Sequence, residues 1–107
     1  IFIHDAETGA ILDINQKAVE MYGYAPEEMR ELSVEAISEG TPDYSQEEAL
    51  RRLKQAGAGS PQLFTWRCKD KSGRLFWAEV NIKRTVLGGM PRLLAIVRDI
   101  TGRKELD

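Results

Sequence analysis

The chain contains one histidine and one cysteine, His4 and Cys68, and these two residues set narrow limits on the chemistry it can do. A single thiol permits no internal disulfide and no thiolate-rich metal site. Cys68 stands in a strand-like stretch, where a small buried residue is the plain reading and a redox thiol the sharper one. His4 follows the apolar run Ile1-Phe2-Ile3, a setting that favours a structural or surface imidazole over a ligand. Glu27 and Glu28 are adjacent acids, but neighbouring helical positions point apart, and carboxylates suit the first turn of a helix at the positive end of its dipole. There is no Gly-x-Ser-x-Gly, no Gly-rich loop closing on Lys-Ser or Lys-Thr, and no His-x-x-x-His pair. The sequence thus offers no catalytic residue and no metal site.

At 107 residues the chain has the length of one domain. With 42% hydrophobic and 30% charged residues it has the composition of a globular protein with a single core. Its 15 basic residues are dispersed among 17 acidic ones for a net charge of −2, so no concentrated positive face is expected and nucleic acid is disfavoured as a partner. No apolar run approaches the roughly 20 residues that span a bilayer, and no signal-peptide pattern occurs. The expectation is a cytoplasmic fragment without direct membrane contact, any anchor belonging to the parent protein. An opening at Ile1 and a charged tail over Arg103-Lys104-Glu105-Leu106-Asp107 are read as the ends of an excised piece.

Ile1–Asp5 and Ala10–Ile14 read as a hairpin around Ala6-Glu7-Thr8-Gly9. Asn15 is placed to cap a short helix carrying Ala18, Val19, Met21 and Tyr22, which ends at Gly23. Pro26-Glu27-Glu28-Met29 opens a second helix behind a poor cap, Ala25. Ser45 caps a third through about Gln55, with Ala49, Leu50 and Leu53 inward and Glu47/Arg51 and Glu48/Arg52 paired. Strands are expected over Leu63–Lys69, Leu75–Val86 and Leu93–Ile100, joined by turns at Asp70-Lys71-Ser72-Gly73 and Gly88-Gly89. In the middle one, Phe76, Ala78, Val80 and Ile82 alternate with Trp77, Glu79, Asn81 and Lys83, the pattern of a sheet covered on one face. The order β-β, helices, β-β-β predicts an α+β fold: a five-stranded antiparallel sheet with short helices packed on one face.

These residues resemble a PAS domain over nearly the whole chain. Ile14-Asn15 and Met21-Tyr22-Gly23-Tyr24 are similar to the family's first helix and its Gly-Tyr end. The passage from Trp66 to Val80 is similar to its central hairpin. Arg98-Asp99-Ile100-Thr101, followed by Gly102-Arg103-Lys104, resembles the Asp-Ile-Thr junction at which such cores hand over to an output helix. The resemblance implies a sensor domain over 1–101, with 102–107 the start of a signalling helix. It implies a regulatory module, not an enzyme, of a multidomain protein, foremost a bacterial sensor histidine kinase. Its alternatives are a module of a diguanylate cyclase or transcription regulator acting as a dimerisation scaffold, and, in another class, a small α+β enzyme or carrier with an apolar pocket.

The family's haem is held from the long helix, and no histidine lies between Ser45 and Gln55, so haem is disfavoured. Covalent flavin is too, because the early helix has no cysteine. The cofactor is left open. Phe64, Trp66, Ile82, Leu94 and Ile96 are the candidate lining of a pocket for a small apolar or aromatic ligand, with plain core packing as the alternative. Trp77, on the polar face of its strand, is a candidate contact for a second copy, since a homodimer is expected, or for an adjacent output domain. Asp99, Ile100 and Thr101 form the expected signal junction: Thr101 capping the outgoing helix, Asp99 bonded to Arg74 or Lys71.

Overall fold

The computed structural model describes residues 1–102. Its opening hairpin pairs β1 (Phe2–Asp5) with β2 (Ile11–Ile14). The Asp5 carboxylate accepts the N–H groups of Glu7 and Thr8, the local bonding that makes Asp a turn former. Helix α1 (Gln16–Tyr22) starts where Asn15 accepts the Ala18 N–H and stops at Gly23, whose φ of +78° costs glycine nothing. Helix α2 (Pro26–Glu31) has no side-chain cap at Ala25; Glu28 reaches back to the Ala25 N–H instead and also pairs with Lys71 at 3.0 Å.

Helix α3 (Gln46–Gly57) is capped by Ser45, which accepts the Glu48 N–H. It buries Ala49, Leu53 and Ala56, a stripe at spacings of four and three that keeps to one side of a 3.6-residue turn. Leu50, expected inward, is 37% exposed; it sits a quarter-turn off that stripe and covers Gly9 in the first hairpin. Glu48 pairs with both Arg51 and Arg52, so the Arg51 partner is Glu48 rather than Glu47.

Strands β3 (Gln62–Lys69), β4 (Leu75–Leu87) and β5 (Met90–Asp99) form the meander. Strand β5 begins at Met90 rather than Leu93. Gly88 and Gly89, with φ of +57° and +79°, make a two-residue turn that pairs Leu87 directly with Met90, the hairpin geometry that matches strand twist. The sheet order is β2-β1-β5-β4-β3 with every pairing antiparallel, and the helices cover one face, as the sequence predicts.

Phe76, Ala78, Val80 and Ile82 of β4 face the core. On β5 the expectation is corrected: Leu93 and Ala95 are buried at 1% and 3% exposure, while Ile96 is 43% exposed and Leu94 lies on the same outer side. Pairing decides the matter. Ala95 stands between Phe2 of β1 and Ile82 of β4, and directly opposed residues share a face. The run from Leu93 to Val97 is apolar at every position, so period two is invisible in it, and the larger Leu94 and Ile96 were the wrong choice over Ala95. Removing the Leu93 side chain with Leu93→Ala is expected to cost about 2–5 kcal/mol of stability, against less than about 1 kcal/mol for Ile96→Ala. Urea denaturation of the two variants checks this, and equal losses would contradict the register.

Candidate ligand cavity and C-terminal junction

A cavity of about 60 Å³ lies between the inner face of the sheet and its helical cover. Of the residues expected to line it, Phe64, Trp66 and Ile82 do so. Leu94 and Ile96 do not, because they project from the opposite face; Ala95 and Val97 take their places. The small Ala95 between Phe2 and Ile82 leaves volume at the centre of the sheet that a larger side chain would fill. Ala49 and Leu53 of α3 and the 3₁₀ turn Val34–Ile37 close the other side.

Three polar side chains also border this space, and none was singled out as lining. Ser38 is fully buried and satisfied twice, donating to the Val34 carbonyl at 2.7 Å and accepting from Trp66 Nε1 at 2.8 Å. The Tyr22 hydroxyl donates to Cys68 Sγ at 3.3 Å. His4, 5% exposed, places Nδ1 2.9 Å from the Gly9 carbonyl, an oxygen that can only accept, so Nδ1 carries the proton. Its inward position was legible from Phe2, which shares its parity on β1. Ser38 lies in an irregular segment with no such signal.

Burial keeps these groups neutral. It lowers the His4 pKa below the usual imidazole value of 6.5, the Gly9 bond only partly opposing it. It raises the Tyr22 phenol, the neighbouring Cys68 adding to the effect. It pushes the Cys68 thiol up to about 12, with the Asp99 charge adding and the Tyr22 bond opposing. Redox and nucleophilic chemistry need a thiolate, so the environment of Cys68 suits a packed core residue.

The chain leaves the sheet at Asp99-Ile100-Thr101, and the expected roles there are exchanged. The Asp99 carboxylate accepts the Thr101 N–H at 2.9 Å where residues 101–102 turn helical. Thr101 turns its hydroxyl to β4 and accepts the Trp77 N–H at 3.0 Å, while the Ile100 N–H donates to the Trp77 carbonyl at 2.9 Å. The hydroxyl thus supplies an acceptor where the sheet ladder runs out of carbonyls. Arg74 and Lys71, expected beside Asp99, pair with Asp70 and Glu28. The expected helix over 102–107 lies outside the described residues beyond Gly102. The Trp77 ring is half-buried, with the Arg67 guanidinium 4.8 Å from its centroid and Tyr44 edge-on at 5.7 Å. Its main chain, which sequence reasoning passed over, anchors the junction. Among the described residues no cluster of metal-ligating side chains occurs, and no helix is long and apolar enough to cross a membrane.

Residues 1–102 match the model of the family described as PAS domain. Among solved structures, the PAS domain of an HTR-like protein from Haloarcula marismortui superposes with a TM-score of 0.78 at 26% identity, over 92% of this chain and 83% of that one. A domain of a sensory box sensor histidine kinase/response regulator from Geobacter sulfurreducens gives 0.74 at 26% identity, over 92% and 80%. A methyl sulfide methyltransferase-associated sensor from Methanosarcina acetivorans is 26% identical over all of this chain, which spans only 10% of that protein.

The neutral burial of His4 has a consequence for stability. Above about pH 6.5 neither the folded nor the unfolded chain protonates this ring, and its contribution is fully present. As pH falls through 6.5 toward the lowered folded value, the unfolded chain takes up the proton first and stability is lost. Urea midpoints measured from pH 7.5 to 5 are expected to fall in the wild type and to fall less in His4→Phe. Parallel pH profiles would contradict the assignment.

Proposed function

This chain belongs to the PAS domain family, and on that footing we propose that it is the regulatory sensor module of a multidomain signalling protein, foremost a sensor histidine kinase. The cavity receives the stimulus and the Asp99-Ile100-Thr101 junction carries it to the adjacent output domain. The observation that supports this most is the attachment of the departing chain to β4 through the Thr101 hydroxyl and the Trp77 main chain. Two alternatives for that one hydroxyl, strand-bound or released, are what a junction with two orientations requires. The Geobacter relative, described as a sensor histidine kinase/response regulator, supports the kinase output. The almost wholly apolar or already bonded lining of the cavity favours sensing over a small enzyme, which would need unpaired polar groups converging there. A reducing cytoplasm fits a lone buried thiol, and the second copy of the chain and the output domain are its proposed partners.

The test uses the full-length parent. Thr101→Val removes the acceptor and leaves the Trp77 N–H part-buried without it, at a cost of about 1–3 kcal/mol to the attached state. Autophosphorylation is expected to lose its normal set point in Thr101→Val and to recover it in Thr101→Ser, which restores the hydroxyl. Output identical in wild type, Thr101→Val and Asp99→Ala under every condition would contradict the junction role.

A further inference from the structure

We propose that the cavity binds a small neutral alcohol, of roughly three or four non-hydrogen atoms, whose hydroxyl donates to Nε2 of His4. The proposal rests on reading the cavity as the sensor's input site and adds the chemistry of what enters it. Its first support is an account of the polar atoms. The hydrogen atoms of Trp66 Nε1, Ser38 Oγ and Tyr22 OH are all committed, to Ser38, Val34 and Cys68 respectively. The Nδ1 proton of His4 is committed to Gly9. What remains are acceptor lone pairs, and the most basic of them is that on Nε2, across the ring from that bond, which has no partner among the described residues although the ring lines the cavity and is almost completely buried.

Among the described residues Arg52 Nε is the one fully buried side-chain nitrogen or oxygen without a hydrogen-bond partner, so Nε2 is open to a small donor. An alcohol can serve it as water does while adding apolar contact with the lining. A ketone or ester brings acceptors and finds no free donor. An anion finds no Lys or Arg among the lining residues, and an ammonium ion finds no carboxylate there, so either would be buried without a counter-charge. The apolar remainder of the ligand meets Phe2, Ile37, Leu53 and Ile82.

Size sets the second limit. One water needs at least about 10–15 Å³ of such space, so 60 Å³ holds a few waters or a short alcohol. A cavity that takes benzene measures about 150 Å³, so this volume favours a compact aliphatic ligand over an aromatic ring. An occupant this small binds at best with a Kd of roughly 0.1 mM, which is a concentration-sensing range rather than that of a resident cofactor.

The experiment titrates the uniformly labelled domain with ethanol, and separately with xenon as an apolar probe that has no donor. Methyl resonances of lining residues and the ¹⁵N resonance of His4 Nε2 are followed by NMR. Ethanol is expected to give saturable methyl shifts and to move Nε2 in the direction of an accepted hydrogen bond. In His4→Leu ethanol affinity is expected to drop about fivefold or more, with xenon affinity unchanged. Equal ethanol affinity in the two proteins, or a bound water on Nε2 that ethanol does not displace, overturns the proposal while leaving an accessible apolar cavity. Entry of neither probe removes the input site itself, and with it that part of the proposed function. Should His4→Leu fail to fold, the wild-type Nε2 shift on its own decides whether the ring accepts the hydroxyl.

Discussion

Strand β5 comes last among the described strands yet is bonded along both edges, to β1 on one side and β4 on the other. The first hairpin has no other neighbour in the sheet, and two strands alone are at best marginally stable in water. The hairpin therefore depends on β5 for its place. Because β1 delivers Phe2 and His4 to the cavity, the cavity depends on β5 as well. A segment spanning almost the whole sequence must be closed before that pairing forms, an entropic cost that only the finished sheet repays.

The same strand links the interior to the exit. Ala95 and Val97 border the cavity, and the residues that follow them are Asp99, whose carboxylate holds the Thr101 N–H, and Thr101, whose hydroxyl holds β4. An occupant pressing on Val97 acts on a rigid, doubly bonded element whose continuation is the junction. Asp99 also acts in the other direction, since its charge raises the pKa values of Tyr22 and Cys68 behind the cavity. In the proposed sensor role, input and output are thus neighbours on one strand, and no long relay through the fold is required.

The parts of this arrangement that were legible in the sequence are those with a one-residue physical signature. Asn15, Ser45 and Gly23 marked helix ends because cap chemistry is local, and the alternation from Phe76 to Ile82 gave the inner face of β4. The five strands and their antiparallel pairing in one sheet followed from the order of elements and from the turns. Where the pattern was uniform, reading failed: Leu93 to Val97 is apolar throughout, and only its pairing with Phe2 and Ile82 shows that Ala95, not Leu94 or Ile96, faces inward. Long-range side-chain partners were equally hidden. Arg74 bonds back to Asp70 within its own turn, leaving Asp99 to cap the chain locally, and Thr101 was free to act as a strand acceptor because Asp99 had taken the capping role.

The central claim is that the chain leaves the sheet while still bound to the Trp77 main chain, and amide hydrogen exchange at Trp77 measures this most directly. If the Thr101 hydroxyl accepts that N–H, the Trp77 amide is protected to a degree comparable with Ala78 and Val80 in the strand interior, and its protection falls selectively in Thr101→Val. A Trp77 amide exchanging as fast as an exposed one in the wild type, beside protected neighbours, would contradict the account.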